Sequence, residues 1–258
     1  MKRFAVKIAY LGDGFSGSQV QPDARTVESE VLANLVLVTR MDPSDLDLRF
    51  SSRTDKGVNA LGNAVVFYSI LEDGDVLTRA LNSVSRSIFY RSYCEVDDGF
   101  NPRHASRRTY RYVLPAEGMD IGLAEECAEM FLGEHDFARF CRYDGKPTVA
   151  TVDSITVMPE GDTVVLEFKA RFFLWNMIRR ISSAIHAVST GRSDMSEVRS
   201  ALDGKDVSFG VSRPDALTLV DVEYDWLEFV PADPRRYSRR RDGEILTSEL
   251  RMGFLRSL

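Results

Sequence analysis

Arginine, aspartate and lysine fall within four consecutive positions at Arg53-Thr54-Asp55-Lys56, and Gly57 closes the run. An aspartate with a cation on either side is favoured in its charged form, and a carboxylate kept charged is suited to act as a nucleophile or a base. Gly57 adds a backbone position that adopts conformations other residues avoid. The surrounding stretch, Ser51 to Gly62, lies between two apolar runs that read as strands. A two-residue hairpin would join such strands with less chain. Standing alone, Arg-Thr-Asp-Lys is better explained by a surface loop with incidental charges. The chain offers little else for chemistry. Cys94, Cys127 and Cys141 are far apart, which argues against a disulfide framework or a structural zinc site. His104, His135 and His186 also lack metal-ligand spacing. His135 and Asp136 are adjacent, and adjacent side chains rarely face one another, so a structural role is expected for both.

The elements that must hold the loop follow in order. Phe4, Val6, Ile8 and Tyr10 alternate as a strand, and a glycine-rich turn runs from Leu11 to Gly17. Thr26 caps a helix through about Arg40, with Glu28 and Glu30 in the first turn, where the helix dipole favours acids. Strands are expected over 47–52 and 62–69, a helix over 75–84 capped by Asp75, and a strand over 88–96. This order, βαββαβ, is the split ferredoxin-like unit. RNA-recognition modules share it and stack bases on aromatics of the third strand. Asn63 and Val65 stand at those stacking positions, so the platform is missing.

Asp97 to Pro102 is acidic and turn-prone, and a boundary there divides the chain into 1–98 and 99–258. A strand over 106–114 follows, with Tyr110 and Tyr112 on one face. Helices are expected over 121–132, from Phe173 to Gly191 and over 194–202, and a hairpin over 151–157 and 163–170. A closing strand reaches Trp226, and 245–258 reads as helix. Ile178, Ile181, Ile185 and Val188 mark the buried face of the long helix.

A length of 258 residues suits two domains, and 44% hydrophobic content supplies two modest cores. No apolar run is long enough to cross a membrane. The start, Met1-Lys2-Arg3-Phe4, passes directly into a strand pattern without the apolar region of a signal peptide, so a cytoplasmic location is expected. A net charge of -6 and a pI near 5.3 count against nucleic acid. Two local clusters count the other way: Arg103, Arg107, Arg108 and Arg111, and Arg235, Arg236, Arg239, Arg240 and Arg241. Tyr110, Tyr112 and Tyr237 are interleaved with them. Neutralisation by nearby acids is the plainer account of both.

Arg53-Thr54-Asp55-Lys56-Gly57-Val58, with Ala60, resembles the R-T-D-K-G-V-H-A signature of the tRNA pseudouridine synthase A family. Asn59 replaces the usual His and Ser52 the usual Gly. Tyr10 to Gln21 resembles the family's Y-x-G-x-x-F-x-G-x-Q-x-Q, Phe100-Asn101-Pro102-Arg103 its F-x-x-R, and Arg108 to Tyr112 its R-x-Y-x-Y. Gly133 to Phe140 is similar to G-x-H-D-F-x-x-F, and Phe173 to Arg179 to F-L-x-x-M-V-R. A looser match places Leu217 in the family's proline-and-leucine segment. The matches span Tyr10 to about Leu219.

The resemblance implies isomerisation of uridine to pseudouridine at positions 38, 39 or 40 of the tRNA anticodon stem-loop, with no cofactor or metal. It implies Asp55 as the essential carboxylate, forming a covalent sugar intermediate or assisting glycal formation, and Arg53 or Arg179 as its partner. Tyr110 would stack on the flipped base, Leu217 would lie against it, and the arginine clusters would hold phosphates. It also implies an α+β fold of two ferredoxin-like, RRM-like domains with mainly antiparallel sheets joined across a basic cleft, in a homodimer with tRNA as partner. A non-catalytic RNA-binding protein on tandem domains is the competing expectation, disfavoured by the missing stacking platform. A nuclease or glycosidase would want a second cooperating acid or metal ligands.

Overall fold

The computed structural model describes residues 1–257 and divides into two compact units. One comprises Met1–Arg53, Gly62–Arg103 and Trp226–Leu258, the other Thr54–Leu61 and His104–Asp225. A single cut near residue 98 does not describe this division. The charged loop groups with the second unit, and the chain after Asp225 returns to the first.

In the first unit the elements are β1 (Lys2–Tyr10), α1 (Val27–Thr39), α2 (Pro43–Leu46), β2 (Arg49–Phe50), β3 (Asn59–Ser69, entering this unit at Gly62), α3 (Gly74–Val84) and β4 (Phe89–Glu95). The strands run in the order β4-β1-β3, with β2 antiparallel to β3. This is the βαββαβ unit that the alternation predicts. Val6, Ile8, Val65 and Phe67 from the strands and Leu35, Leu77 and Leu81 from the helices are fully buried. Thr26 caps α1 as expected, in a reciprocal pair with Ser29. The cap of α3 is Asp73, not Asp75. The strand expected over 47–52 shrinks to two residues because α2 occupies the chain up to Leu46 and Asp47 turns into a left-handed conformation.

The second unit repeats the arrangement. Its elements are β5 (Arg107–Pro115), α4 (Ile121–Glu129), β6 (Gly133–Asp136), β7 (Val149–Val152), β8 (Ser154–Glu160), β9 (Thr163–Ala170), α5 (Met177–Ser189), α6 (Met195–Leu202) and β10 (Leu217–Glu223). The main sheet runs β10-β5-β9-β8, antiparallel throughout, while β6 and β7 pair separately. Leaving that ribbon aside, β5, α4, β8, β9, α5 and β10 form a second βαββαβ unit with the same strand order. The fold is therefore α+β with mainly antiparallel sheets. Its internal repeat is invisible in the sequence. Ile178, Ile181, Ile185 and Val188 all face the core, as their spacing predicts.

The chain ends in the first unit with β11 (Val230–Pro231), added to β4, and α7 (Arg235–Arg256). The helix begins ten residues before the expected 245. Tyr237 packs edge-to-face on Phe89, and Arg240 lies 4.2 Å from that ring's centroid. No helix among the described residues is long and apolar enough to cross a membrane.

Asn82 joins α3 to β4 in the first unit's core, donating to the Tyr90 carbonyl at 2.8 Å and accepting from the Tyr90 amide at 3.1 Å. Replacing Asn82 with alanine strands two buried backbone groups. The unfolding free energy in urea is expected to fall by roughly 2–4 kcal/mol.

Candidate active site

Both ends of the charged loop are tied down. Before it, the Ser51 amide donates to the Ala64 carbonyl at 2.8 Å, and buried Asn63 donates to the Ser52 carbonyl at 2.9 Å. The residue standing where an RNA-recognition module would carry a stacking aromatic is thus a structural tether. After the loop, Asn59 and Ala60 pair in parallel with Thr218 and Leu219 of β10. Asn59 also donates to the Asp215 carbonyl at 3.0 Å. That pairing starts β3 three residues earlier than expected.

Between these ties the loop turns on itself. The Val58 amide donates to the Asp55 carbonyl at 3.1 Å, closing a turn whose third residue, Gly57, has φ of +85°. A side chain in that conformation is strained. A Cβ on Gly57 would also lie 3.1 Å from Cγ of Pro214. The turn presents the Asp55 side chain, 36% exposed, toward the start of α5.

Three residues around that helix start set the carboxylate's surroundings. Arg179 Nη1 lies 3.5 Å from Asp55 Oδ2. The same guanidinium donates from Nε to the Ser212 carbonyl at 2.7 Å and from Nη1 to Asn176 Oδ1 at 2.9 Å, so it is fixed before any substrate arrives. Trp175 donates its indole N–H to Asp55 Oδ1 at 3.0 Å. Asn176, between Trp175 and the helix, takes a left-handed conformation with φ of 63° and spends its side chain on Arg179 instead of capping α5. Asparagine is among the few residues that tolerate this backbone. Phe173 to Asn176 is consequently not helical, contrary to the expectation that Phe173 opens the helix. The start of α5 contributes its positive dipole end near the acid.

Tyr110 and Leu217 are placed by the sheet. Leu217 is paired with Tyr112, and Leu219 with Tyr110, so the four side chains share one face. Tyr110 and Leu217 are each 7% exposed. The Tyr110 ring meets Phe173 edge-to-face at 5.3 Å. Tyr112 is buried, donates its hydroxyl to the Arg213 carbonyl at 2.9 Å, and has its phenol pushed up by burial. Asp215, two residues beyond Arg213, accepts from that arginine, which holds its carboxyl below the usual range.

Arg53 is exposed, and the cation within ion-pair distance of Asp55 is Arg179. His135 and Asp136 do not form an acid–base pair. His135 Nε2 lies 2.9 Å from the Leu132 carbonyl, and Asp136 accepts from the Ala138 amide and the Thr148 hydroxyl. Among the described residues, no group of three or more His, Cys, Asp or Glu is placed to hold a metal. The arginine clusters are largely spoken for within the protein. Arg107 pairs with Glu223 and Arg111 with Glu167, while buried Arg108 donates to the Arg171 carbonyl. Arg235 and Arg236 pair with Asp233, and Arg240 donates to the Ser85 and Ile88 carbonyls. Trp175 and Asn176 are the residues that motif reading leaves out. They occupy the open positions of F-L-x-x-M-V-R, and only the turn before α5 reveals their use.

A carboxylate held by a guanidinium and an indole, on a scaffold built of repeated ferredoxin-like units, is a candidate active site. The family model described as tRNA pseudouridine synthase matches residues 127–225. A Pyrococcus abyssi protein named tRNA pseudouridine synthase A is 38% identical over 250 residues, covering 94% of this chain and 92% of its own. A Methanosarcina acetivorans protein of the same name is 35% identical over 251 residues, covering 94% and 91%. A chain from a Cbf5–Nop10–Gar1 complex overlaps 69% of this chain and 44% of its own at a TM-score of 0.36 and 12% identity, too distant to bear on the fold. The chain belongs to the tRNA pseudouridine synthase A family.

The turn at Gly57 gives a direct check on how the carboxylate is presented. Gly57→Ala is expected to lower the unfolding free energy by roughly 1–2 kcal/mol, through the strained φ and the Pro214 contact. Calorimetry or urea titration measures it. An unchanged stability would show that the turn relaxes without loss.

Proposed function

We propose that this protein isomerises uridine to pseudouridine in the anticodon stem-loop of tRNA, at positions 38, 39 or 40, with Asp55 as the essential carboxylate. The observation that carries this reading is the Asp55 side chain held between Arg179 and Trp175 on a loop tethered at both ends. The reaction needs one acid, a partner that keeps it charged, and a surface for a detached uracil. On the covalent route, a carboxylate oxygen of Asp55 attacks C1′ and the N1–C1′ bond breaks, its electron pair leaving with the uracil. The uracil then turns, C5 bonds to C1′ as the ester bond to Asp55 breaks, and the C5 proton is lost. Asp55 acting instead as a base at C2′, through a glycal, uses the same placement.

Arg179 is the electrostatic partner, and Arg53, exposed beside the acid in sequence, contacts RNA. Tyr110 stacks on the extruded base and relays the C5 proton, with Leu217 beside it on the same sheet face. No cofactor takes part. The protein works in the cytoplasm as a homodimer, in keeping with the family resemblance. Arg107, Arg111, Arg235 and Arg236 keep exposed guanidinium groups while pairing with Glu223, Glu167 and Asp233, and these groups turn to phosphates when tRNA binds.

Release of tritium from [5-³H]uridine-labelled tRNA tests the chemistry. Wild type is expected to release it, and Asp55→Ala and Asp55→Asn to release none while still binding tRNA. Release by both variants would move the reaction away from Asp55. No release by wild type, with tRNA bound, would favour a binding protein instead.

The arginines give a separate check. Replacing Arg107 and Arg111 together with alanine is expected to weaken tRNA binding and reduce the slope of log affinity against log salt by roughly 1–2. Arg108→Ala is expected to cost stability instead, because that guanidinium is buried on a carbonyl.

A further inference from the structure

The two oxygens of Asp55 are not held alike. Oδ1 accepts a hydrogen bond of ordinary length, 3.0 Å, from the Trp175 indole. Oδ2 is 3.5 Å from Arg179 Nη1, beyond hydrogen-bond length, so that contact is chiefly electrostatic. The indole that holds Oδ1 is itself braced. The Arg142 guanidinium lies 4.0 Å from the centroid of the Trp175 ring system, and the Arg142 amide donates to the Trp175 carbonyl at 2.7 Å. A cation over an indole face is among the stronger arrangements of this kind. The brace is needed because Trp175 lies outside α5 and is 42% exposed. Without it an indole on a non-helical segment would sample several rotamers.

We infer that Trp175 is a positioning residue for Asp55, with Arg142 as its brace: the indole N–H fixes the carboxylate plane through Oδ1 and leaves Oδ2 as the reacting oxygen. A neutral donor suits this task better than a second cation. Charged donors make stronger hydrogen bonds and withdraw more electron density from a nucleophile. An indole has a single donor on a rigid ring and no acceptor, so it holds one oxygen in one direction. Arg179 then compensates the charge without occupying Oδ2. This inference rests on Asp55 being the essential carboxylate.

Trp175→Phe removes the N–H and keeps an aromatic ring under Arg142. It is expected to lower kcat on saturating tRNA by about 10- to 100-fold, the scale of one hydrogen bond to a charged group, with KM changed less than about threefold. Arg142→Ala is expected to lower kcat by a smaller factor, and Arg142→Lys, which retains a cation over the ring, to restore most of it. A second readout needs no turnover. The chain has two tryptophans, Trp175 and Trp226. In ¹⁵N-labelled protein the Trp175 indole proton, assigned by its loss in Trp175→Phe, is expected to move upfield in Asp55→Ala, with Trp226 unmoved. A Trp175→Phe protein with wild-type kcat overturns the inference, as does a rise in KM with kcat unchanged, which would make the indole an RNA contact. An indole resonance indifferent to Asp55→Ala overturns it too. Tritium release by Asp55→Ala identifies the other failure, that of Asp55 as the essential carboxylate, and this inference falls with it.

Discussion

A carboxylate on a loop has no ladder or helix of its own to hold it, and the rest of this site is arranged around that difficulty. Asp55 projects from a glycine turn, and its side chain is fixed by groups more than a hundred positions away in sequence. Arg179 reaches it from the first turn of α5, already locked by Ser212 and Asn176. Trp175 reaches it from the segment just before that helix. Because both partners belong to one helix start, a small rotation of α5 would disturb both oxygens together. The buried face of α5, Ile178 to Val188, is therefore part of the site's mechanics as well as of the core.

Departures from regular structure cluster at the same place. Asn176 holds a left-handed backbone and gives up its capping role, and Gly57 adopts a positive φ against Pro214. Each costs local stability, and such costs persist where surrounding structure over-determines the geometry. The parallel pairing of Asn59 and Ala60 with β10, and the buried Asn63 tether on Ser52, supply that determination.

Charge distribution follows a related logic. An acidic chain with local arginine clusters suggests free cations, but most of these arginines already have partners. Arg108 and Arg240 satisfy backbone carbonyls and belong to the architecture. Arg107, Arg111, Arg235 and Arg236 are themselves exposed and pair with Glu223 and with the half-buried Glu167 and Asp233, an attraction that salt weakens. Members of one sequence cluster thus divide into structural and exchangeable cations according to burial.

Alternation and helical spacing were enough to locate β1, α1, β5 and the inward face of α5, because burial of one face imposes those periods directly. The run Arg53 to Val58 marked the loop of the candidate site, since charged residues beside a glycine between two strands are a local signal. What stayed hidden depends on contacts distant in sequence. The return of the chain after Asp225 to the first unit, the early start of β3 on β10, and the shared strand order of the two units leave no local trace. The choice of Arg179 over Arg53 as partner of Asp55, and the use of Trp175, were likewise decided by tertiary structure. An indole in an apolar segment reads as core until the chain turns at Asn176 and brings its N–H to within 3.0 Å of a carboxylate. Residue types and local periods determined which groups were available and which elements would carry them. Only the packing of those elements decided which groups meet, because hydrogen bonds and ion pairs act over a few ångströms and local spacing does not encode distances between remote parts of the chain.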